Sequence, residues 1–190
     1  MTAVTSSGRL RQVTSRSWWG WGTTDQALSD DECAARAAAL PGLPDRPRPV
    51  PRLADVVLPA SRVTATEGLP VTTDHDDRAR HAYGKAYRDV VRALSGELPG
   101  APDAVAHPAD EDDVVRLLDW ASSAGVVVVP FGGGSSVVCG VEYRGDRPWI
   151  SMDLTALDRV LEIDRTSRAR RPGSAPPGWC GRSPAPGPGR

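Results

Sequence analysis

Apolar and polar positions alternate unevenly along these 190 residues, and the pattern is clearest between residues 104 and 164. Ala104-Val105-Ala106-His107 reads as a short strand that Pro108 ends. Asp110, Glu111, Asp112 and Asp113 open a helix with acidic side chains at the positive end of its dipole. Val114, Leu117, Leu118 and Ala121 recur along one face of it, and Gly125 is placed to cap its C-terminus. The β-branched run Val126–Val129 has the pattern of a buried strand. Strand, amphipathic helix and strand in this order predict a βαβ unit with a right-handed crossover. Trp149–Leu154 and Val160–Asp164 predict further strands, separated by turns at Arg144–Pro148 and Leu157–Arg159.

The first half of the chain is less regular. Asp30, with Asp31 and Glu32 behind it, predicts the N-cap of an alanine-rich helix that stops before Pro41. Leu53–Leu69 fits no single pattern, with Pro59 inside it and a turn at Glu67-Gly68. From Asp77 to Leu94 the residues Tyr83, Tyr87, Val90, Val91 and Leu94 share one helical face, which predicts a single helix covering a core. On the opposite face, His81, Lys85 and Arg88 are either a solvated polar surface, the more economical reading, or groups facing a ligand.

The candidate chemistry lies directly after the strand at 126–129. Pro130-Phe131-Gly132-Gly133-Gly134-Ser135-Ser136-Val137 joins a strand end to a backbone that can curl until its N–H groups converge, an arrangement that suits a pyrophosphate. It is neither a Walker A motif nor the GxGxxG dinucleotide fingerprint. Val137–Val141 reads as extended chain, so an anion would rest on a nest of amides with no helix dipole behind them. The same glycines also fit a flexible turn. Their place at the carboxyl end of a strand in an open α/β sheet favours the ligand site.

Composition narrows the picture. The net charge of −1 gives no sign of a nucleic-acid partner. Cys33, Cys139 and Cys180 are too scattered for a zinc site or a disulfide framework, which makes a reducing cytoplasm the default location. No signal-peptide pattern or membrane span is visible. Residues 1–16 read as a disordered N-terminus, 17–98 as a helical N-terminal region containing a proline-rich linker at 41–51, and 99–167 as the folded unit around the glycine loop. Three of the six tryptophans crowd into Ser17-Trp18-Trp19-Gly20-Trp21-Gly22. Rings this apolar anchor the N-terminal arm on a core or form an aromatic ligand platform.

Several segments match a known family together and in order. Ser17–Gly22, Arg80–Asp89, Ala101–Ala106 with Pro108, Pro130–Val138, Val141-Glu142 and Ser151–Asp164 resemble FAD-linked oxidases of the vanillyl-alcohol-oxidase or PCMH-type flavin fold. Within these, the likeness is to bacterial proteins similar to alkyldihydroxyacetonephosphate synthase. The resemblance implies an α+β fold: the N-terminal part of a PCMH-type FAD-binding domain, a βαβ unit plus strands, preceded by a helical region. It also implies FAD with its pyrophosphate on the loop at 130–137. Some relatives tether the flavin through a histidine near this loop, but none lies between Pro130 and Asp164, so the FAD is expected to be non-covalent.

In such families the flavin exchanges a hydride with a small-molecule substrate or, in the synthase-like branch, lets a fatty alcohol replace an acyl group without net redox. An FAD-dependent 2-hydroxy-acid dehydrogenase and a non-enzymatic nucleotide- or phosphate-binding module are the alternatives. The chain departs from the pattern at Cys139, where glycine is usual, and at 168–190. That Arg/Pro/Gly-rich stretch reads as a disordered, out-of-frame tail, which would make the chain a truncated or frameshifted N-terminal fragment, inactive alone. Catalytic residues are left unassigned.

Overall fold

A computed structural model of the chain describes residues 16–42, 48–64, 66–164, 166–167 and 169–173. Helix α1 spans Asp30–Ala38, and its N-cap is Ser29 rather than the expected Asp30. The Ser29 hydroxyl accepts from the Glu32 amide and the Glu32 carboxylate accepts from the Ser29 amide, a reciprocal capping box. None of its residues is buried.

The single helix expected over 77–94 is two helices. Strand β1 (Val71–Thr72) leads into α2 (His75–Arg80), and α3 (Tyr87–Ala93) follows after a break at 81–86. The break has a physical cause at Gly84. A Cβ there would lie 2.2 Å from the Ser136 carbonyl oxygen, so this segment is pressed backbone to backbone against the glycine loop and cannot hold helical geometry. The predicted apolar face is lost with it. Tyr83 is buried, whereas Tyr87 is 86% exposed and Val91 44%.

Four strands form the main sheet in the order β1-β2-β4-β3, where β2 is Ala104–Ala106, β3 is Val127–Phe131 and β4 is Trp149–Asp153. β2, β4 and β3 are parallel, and β1 pairs antiparallel to β2. Helix α4 (Glu111–Ala124) joins β2 to β3, capped by Asp110 at its start and by left-handed Gly125 at its end, so the expected strand–helix–strand unit is present with β4 inserted between its strands. β3 is the edge of the described sheet. Val127–Val129 are therefore half-buried rather than buried, and Pro130, which has no N–H to donate, is tolerated there. A separate hairpin pairs β5 (Arg159–Asp164) with β6 (Ala169–Gly173). The paired backbone thus continues past the point, residue 167, where composition alone ended the folded unit. The remaining tail, 174–190, and the N-terminal residues 1–15 lie outside the described residues.

Two clusters form the core. One, of Ala104, Ala106, Leu117, Ile150 and Met152 with Val63, lies between α4 and the sheet. The other, of Val56, Ala79, Ala82, Tyr83, Leu98 and Ala101, carries Trp18 packed against it. Polar ties connect the two halves. The Arg78 guanidinium donates to the carbonyls of Pro102 and Pro59, both at 2.7 Å. Asp103 accepts from the amides of Arg62 and Trp149 as well as from the Arg62 side chain, which sets the start of β2 beside that of β4.

Beyond the glycine loop the chain is neither extended nor helical. It turns, with Cys139 at φ 62°, the left-handed region that favours glycine. Cys139, where the resemblance leads one to expect glycine, therefore stands in a conformation that glycine fits best. Replacing it (Cys139→Gly) is expected to raise the unfolding free energy by roughly 0.5–1 kcal/mol, the relief of left-handed strain less the added freedom of the unfolded chain, as read from urea denaturation.

Candidate functional site

The glycine loop starts where β3 ends. Phe131 is buried, and its ring fills the space where a Gly134 side chain would be: a Cβ on Gly134, itself at φ 64°, would lie 2.6 Å from that ring. The Phe131 carbonyl accepts from the Leu154 amide at 2.8 Å, extending the β3–β4 ladder to the base of the loop. Ser136 closes the curl by accepting the Gly140 amide on its hydroxyl and the Lys85 amide, at 2.7 Å, on its carbonyl. Among the described residues, no acceptor lies within hydrogen-bond reach of the amides of Gly132, Gly133, Gly134, Ser135 or Ser136. A backbone run with five donors free of intramolecular partners, most of them at the surface, is open to an acceptor from outside the chain.

A cleft of about 330 Å³ opens beside this loop, and its walls come from both halves of the chain. Phe131, Gly132, Gly133 and Gly134 line one side with Asp153 and Thr155, and Arg16, Ser17, Trp18, Arg80, His81 and Lys85 line the other. Of the predicted pyrophosphate residues, Phe131–Gly134 therefore face the cleft. Pro130, Ser135, Ser136 and Val137 do not line it, and Ser136 instead anchors the loop.

The solvated-face reading fails for His81 and Lys85. His81 is 5% exposed, and Lys85 holds the tryptophan segment by donating from Nζ to the carbonyls of Trp18 (2.9 Å) and Ser17 (3.3 Å). Trp18 consequently does both things that its sequence allowed: it packs on the core and it walls the cleft. Trp21, 62% exposed, does neither. Arg88 turns away from the cleft. With Arg92 and Arg144 it pairs with the Asp89 and Glu142 carboxylates, bringing the 80–89 and 141–142 segments together. Cys139 stands near those two acids, its sulfur and a carboxylate oxygen of each within 4.8 Å of one another; the arginines pair with Glu142 and with Oδ1 of Asp89, while the buried Oδ2 of Asp89 has no hydrogen-bond partner among the described residues.

Behind Phe131 lies a second network. His81 presents Nε2 to Asp153 at 3.1 Å and Nδ1 to the Asp77 backbone carbonyl at 2.8 Å, while His107 Nε2 meets the Asp77 carboxylate at 2.6 Å. The His81 ring centroid is 4.3 Å from that of Phe131. Burial pulls the His81 pKa down, but the hydrogen bonds to Asp153 and Asp77 outweigh it and raise the value to about 9. His107 is raised by its bond to Asp77, against a smaller effect of burial. Burial would raise Asp77 and Asp153, yet their histidine partners hold both carboxyls below the usual range. Lys85 is pushed down to about 8, chiefly by desolvation.

Sequence reasoning missed Arg16, Arg80 and Asp153. Arg80 carried a usable signal, since it begins the segment Arg80–Asp89. Arg16 closed a stretch that composition assigned to disorder, and Asp153 read as an ordinary strand residue.

Residues 102–173 match the family model described as an FAD binding domain. Alkyldihydroxyacetonephosphate synthase of Trypanosoma brucei brucei is 43% identical over 93 residues, 47% of this chain and 15% of that protein. The synthase of Dictyostelium discoideum is 36% identical over 100 residues, covering 51% of the chain and 16% of the relative. That of Caenorhabditis elegans is 30% identical over 126 residues, covering 62% and 21%. A solved structure of an alkyldihydroxyacetonephosphate synthase superposes with a TM-score of 0.65 over 80% of this chain and 34% of its own, at 24% identity, a likeness of fold. The chain spans about a fifth or less of the length of these curated relatives.

Two predictions follow from the geometry. Since the folded His81 holds its proton to about pH 9 and the unfolded one to about 6.5, its contribution is complete below pH 6.5 and lost as the pH rises to 9. The unfolding free energy is expected to fall by about 3 kcal/mol across that window, with His81→Gln flattening the slope in urea titrations at successive pH values. Gly84→Ala forces a methyl group onto the Ser136 carbonyl, and a loss of about 3 kcal/mol in the same assay is expected.

Proposed function

We propose that the chain, whose residues 102–173 match the FAD binding domain model, is part of an FAD-linked oxidase of PCMH type and holds FAD non-covalently, with the pyrophosphate on the amides of Gly132–Ser136. The observation that carries this reading is the set of five loop amides without an acceptor, opening beside a cleft lined by Arg16, Arg80 and Lys85. A diphosphate ester supplies what both features lack: several strong acceptor oxygens and two negative charges. The residues present fit the group. A Cβ built on Gly132 would meet nothing within 4 Å, so there is room for a phosphate against the backbone.

The protein to which this segment contributes is, on this reading, synthase-like, as the names of its curated relatives indicate. The flavin supplies the redox-active ring at which a small-molecule substrate reacts. The described residues bind and orient. The loop amides fix the phosphates, Trp18 and Phe131 shape the cleft walls, and the His81–Asp153 pair holds β4 against α2. We assign no acid, base or substrate clamp to these residues, and the 190-residue chain is expected to bind FAD without turnover on its own.

Purified chain mixed with FAD and passed through a desalting column is expected to retain the visible flavin absorption and to lose it to excess ADP. Acid precipitation is expected to leave the flavin in the supernatant. Colour that stays with the pellet means a covalent link and refutes the non-covalent reading, and a colourless protein removes the cofactor assignment altogether.

A further inference from the structure

Charge in the cleft is out of balance in a way that the loop amides do not account for. Three cationic side chains, Arg16, Arg80 and Lys85, line it together with the protonated His81, against the single carboxylate of Asp153. That carboxylate is already bonded to His81 at 3.1 Å. Lys85 stands out among the cations. Its main-chain N–H is bound to the loop at Ser136, while its ammonium donates to the carbonyls of Ser17 and Trp18. Two of the three ammonium N–H donors are thus spent on neutral acceptors, and among the described residues no carboxylate lies within 4.0 Å of Nζ.

We propose that Lys85 is the counter-cation of the cofactor's pyrophosphate, its third ammonium N–H aimed at a phosphate oxygen, with Arg16 and Arg80 completing the charge around the same group. The inference rests on the FAD reading above and adds to it the side chains that give the site its affinity for a dianion.

A half-buried ammonium with no carboxylate in contact, attracted only by the more distant Asp89, is unfavourable, and burial has already weakened its hold on the proton. An arriving diphosphate removes that penalty, so the interaction exceeds that of an exposed lysine with a phosphate. The placement is also fixed. Gly84 cannot accept a side chain, and the Lys85 amide cannot leave Ser136 without releasing the loop, so the amides of the cradle and the ammonium are held in one register. A role confined to tying down the tryptophan segment explains the two carbonyl contacts but not the clustering of three cations at a cleft with one committed anion.

The test uses the 190-residue chain and three probes: FAD, ADP, which carries the pyrophosphate without the flavin, and adenosine, which carries neither phosphate. Affinities are read by calorimetry at two salt concentrations. Lys85→Met is expected to weaken ADP and FAD binding by ~10–100-fold, the range of a lost charge-assisted hydrogen bond, and to reduce the salt dependence of both. Adenosine binding should stay unchanged, and the thermal midpoint of the ligand-free variant should fall only modestly, by the loss of the two hydrogen bonds to Ser17 and Trp18. Lys85→Arg is expected to restore most of the loss. Equal ADP affinity and salt dependence in Lys85→Met and parent overturn the proposal, as does a parallel loss of ADP and adenosine binding, which marks a structural role. If Lys85→Met does not fold, Arg16→Gln and Arg80→Gln decide the matter, each expected to lower ADP affinity ~3–10-fold with adenosine unmoved, and no change in either overturns it. A parent chain that binds neither FAD nor ADP refutes the FAD reading itself, whereas a parent that binds both, beside an equally tight Lys85→Met, refutes only the assignment of Lys85.

Discussion

The contact between the Lys85 amide and the Ser136 carbonyl, with Gly84 against the same oxygen, is the constraint on which the rest of the site depends. It joins the helical first half of the chain to the loop that ends β3. It breaks what periodicity would make a single helix, and the break turns His81 and Lys85 inward. Without it the glycine run would be an edge-strand exit with unclaimed amides. With it, the run is one wall of a cleft whose other wall is the tryptophan segment.

The buried charge behind that wall follows from the same geometry. Once α2 stops at Arg80, His81 is enclosed between Asp77 and Asp153, and an imidazole flanked by two carboxylates is more stable protonated than neutral despite its burial. The alternation of histidine and aspartate through Asp77, His81, His107 and Asp153 sets each carboxylate beside an imidazole, so the protonated His81 is not buried without compensation. Phe131 packs on this cluster through His81 and supports Gly134 in turn. The loop thus rests, through Phe131, on His81, fifty residues earlier in sequence.

What could be read from the sequence was whatever local pattern determines. The strand–helix–strand segment, the Asp110 and Gly125 caps and the position of the glycine loop at a strand's carboxyl end were all legible, because a cap or a period is decided by near neighbours. Two misreadings came from non-local facts and a third from a local ambiguity. The break at 81–86 is imposed by a loop some fifty residues further on, so helical spacing through Tyr83, Tyr87 and Val90 described a surface that never forms. Val127–Val129 read as buried because composition cannot tell an edge strand from a central one. Asp30 read as a cap because an acidic run obscures which residue precedes the first turn; Ser29 was identified only by its reciprocal bonds with Glu32. The cleft's cations were the least legible, since a charge opposite an apolar stripe is ordinarily solvated.

Anion sites in open α/β sheets usually combine two sources of positive potential, the loop amides and the dipole of the helix that the loop opens, equivalent to roughly half an elementary charge. Here no helix follows the glycines: the chain bends through Val137 and Val138 into the left-handed turn at Cys139. The amides supply direction but little net charge, so a dianion needs its positive potential from side chains, and Arg16, Arg80 and Lys85 all come from outside residues 102–173. On the proposed reading, the segment that carries the family likeness shapes the cradle and the segment before it supplies its charge, so the N-terminal region is half of the proposed site.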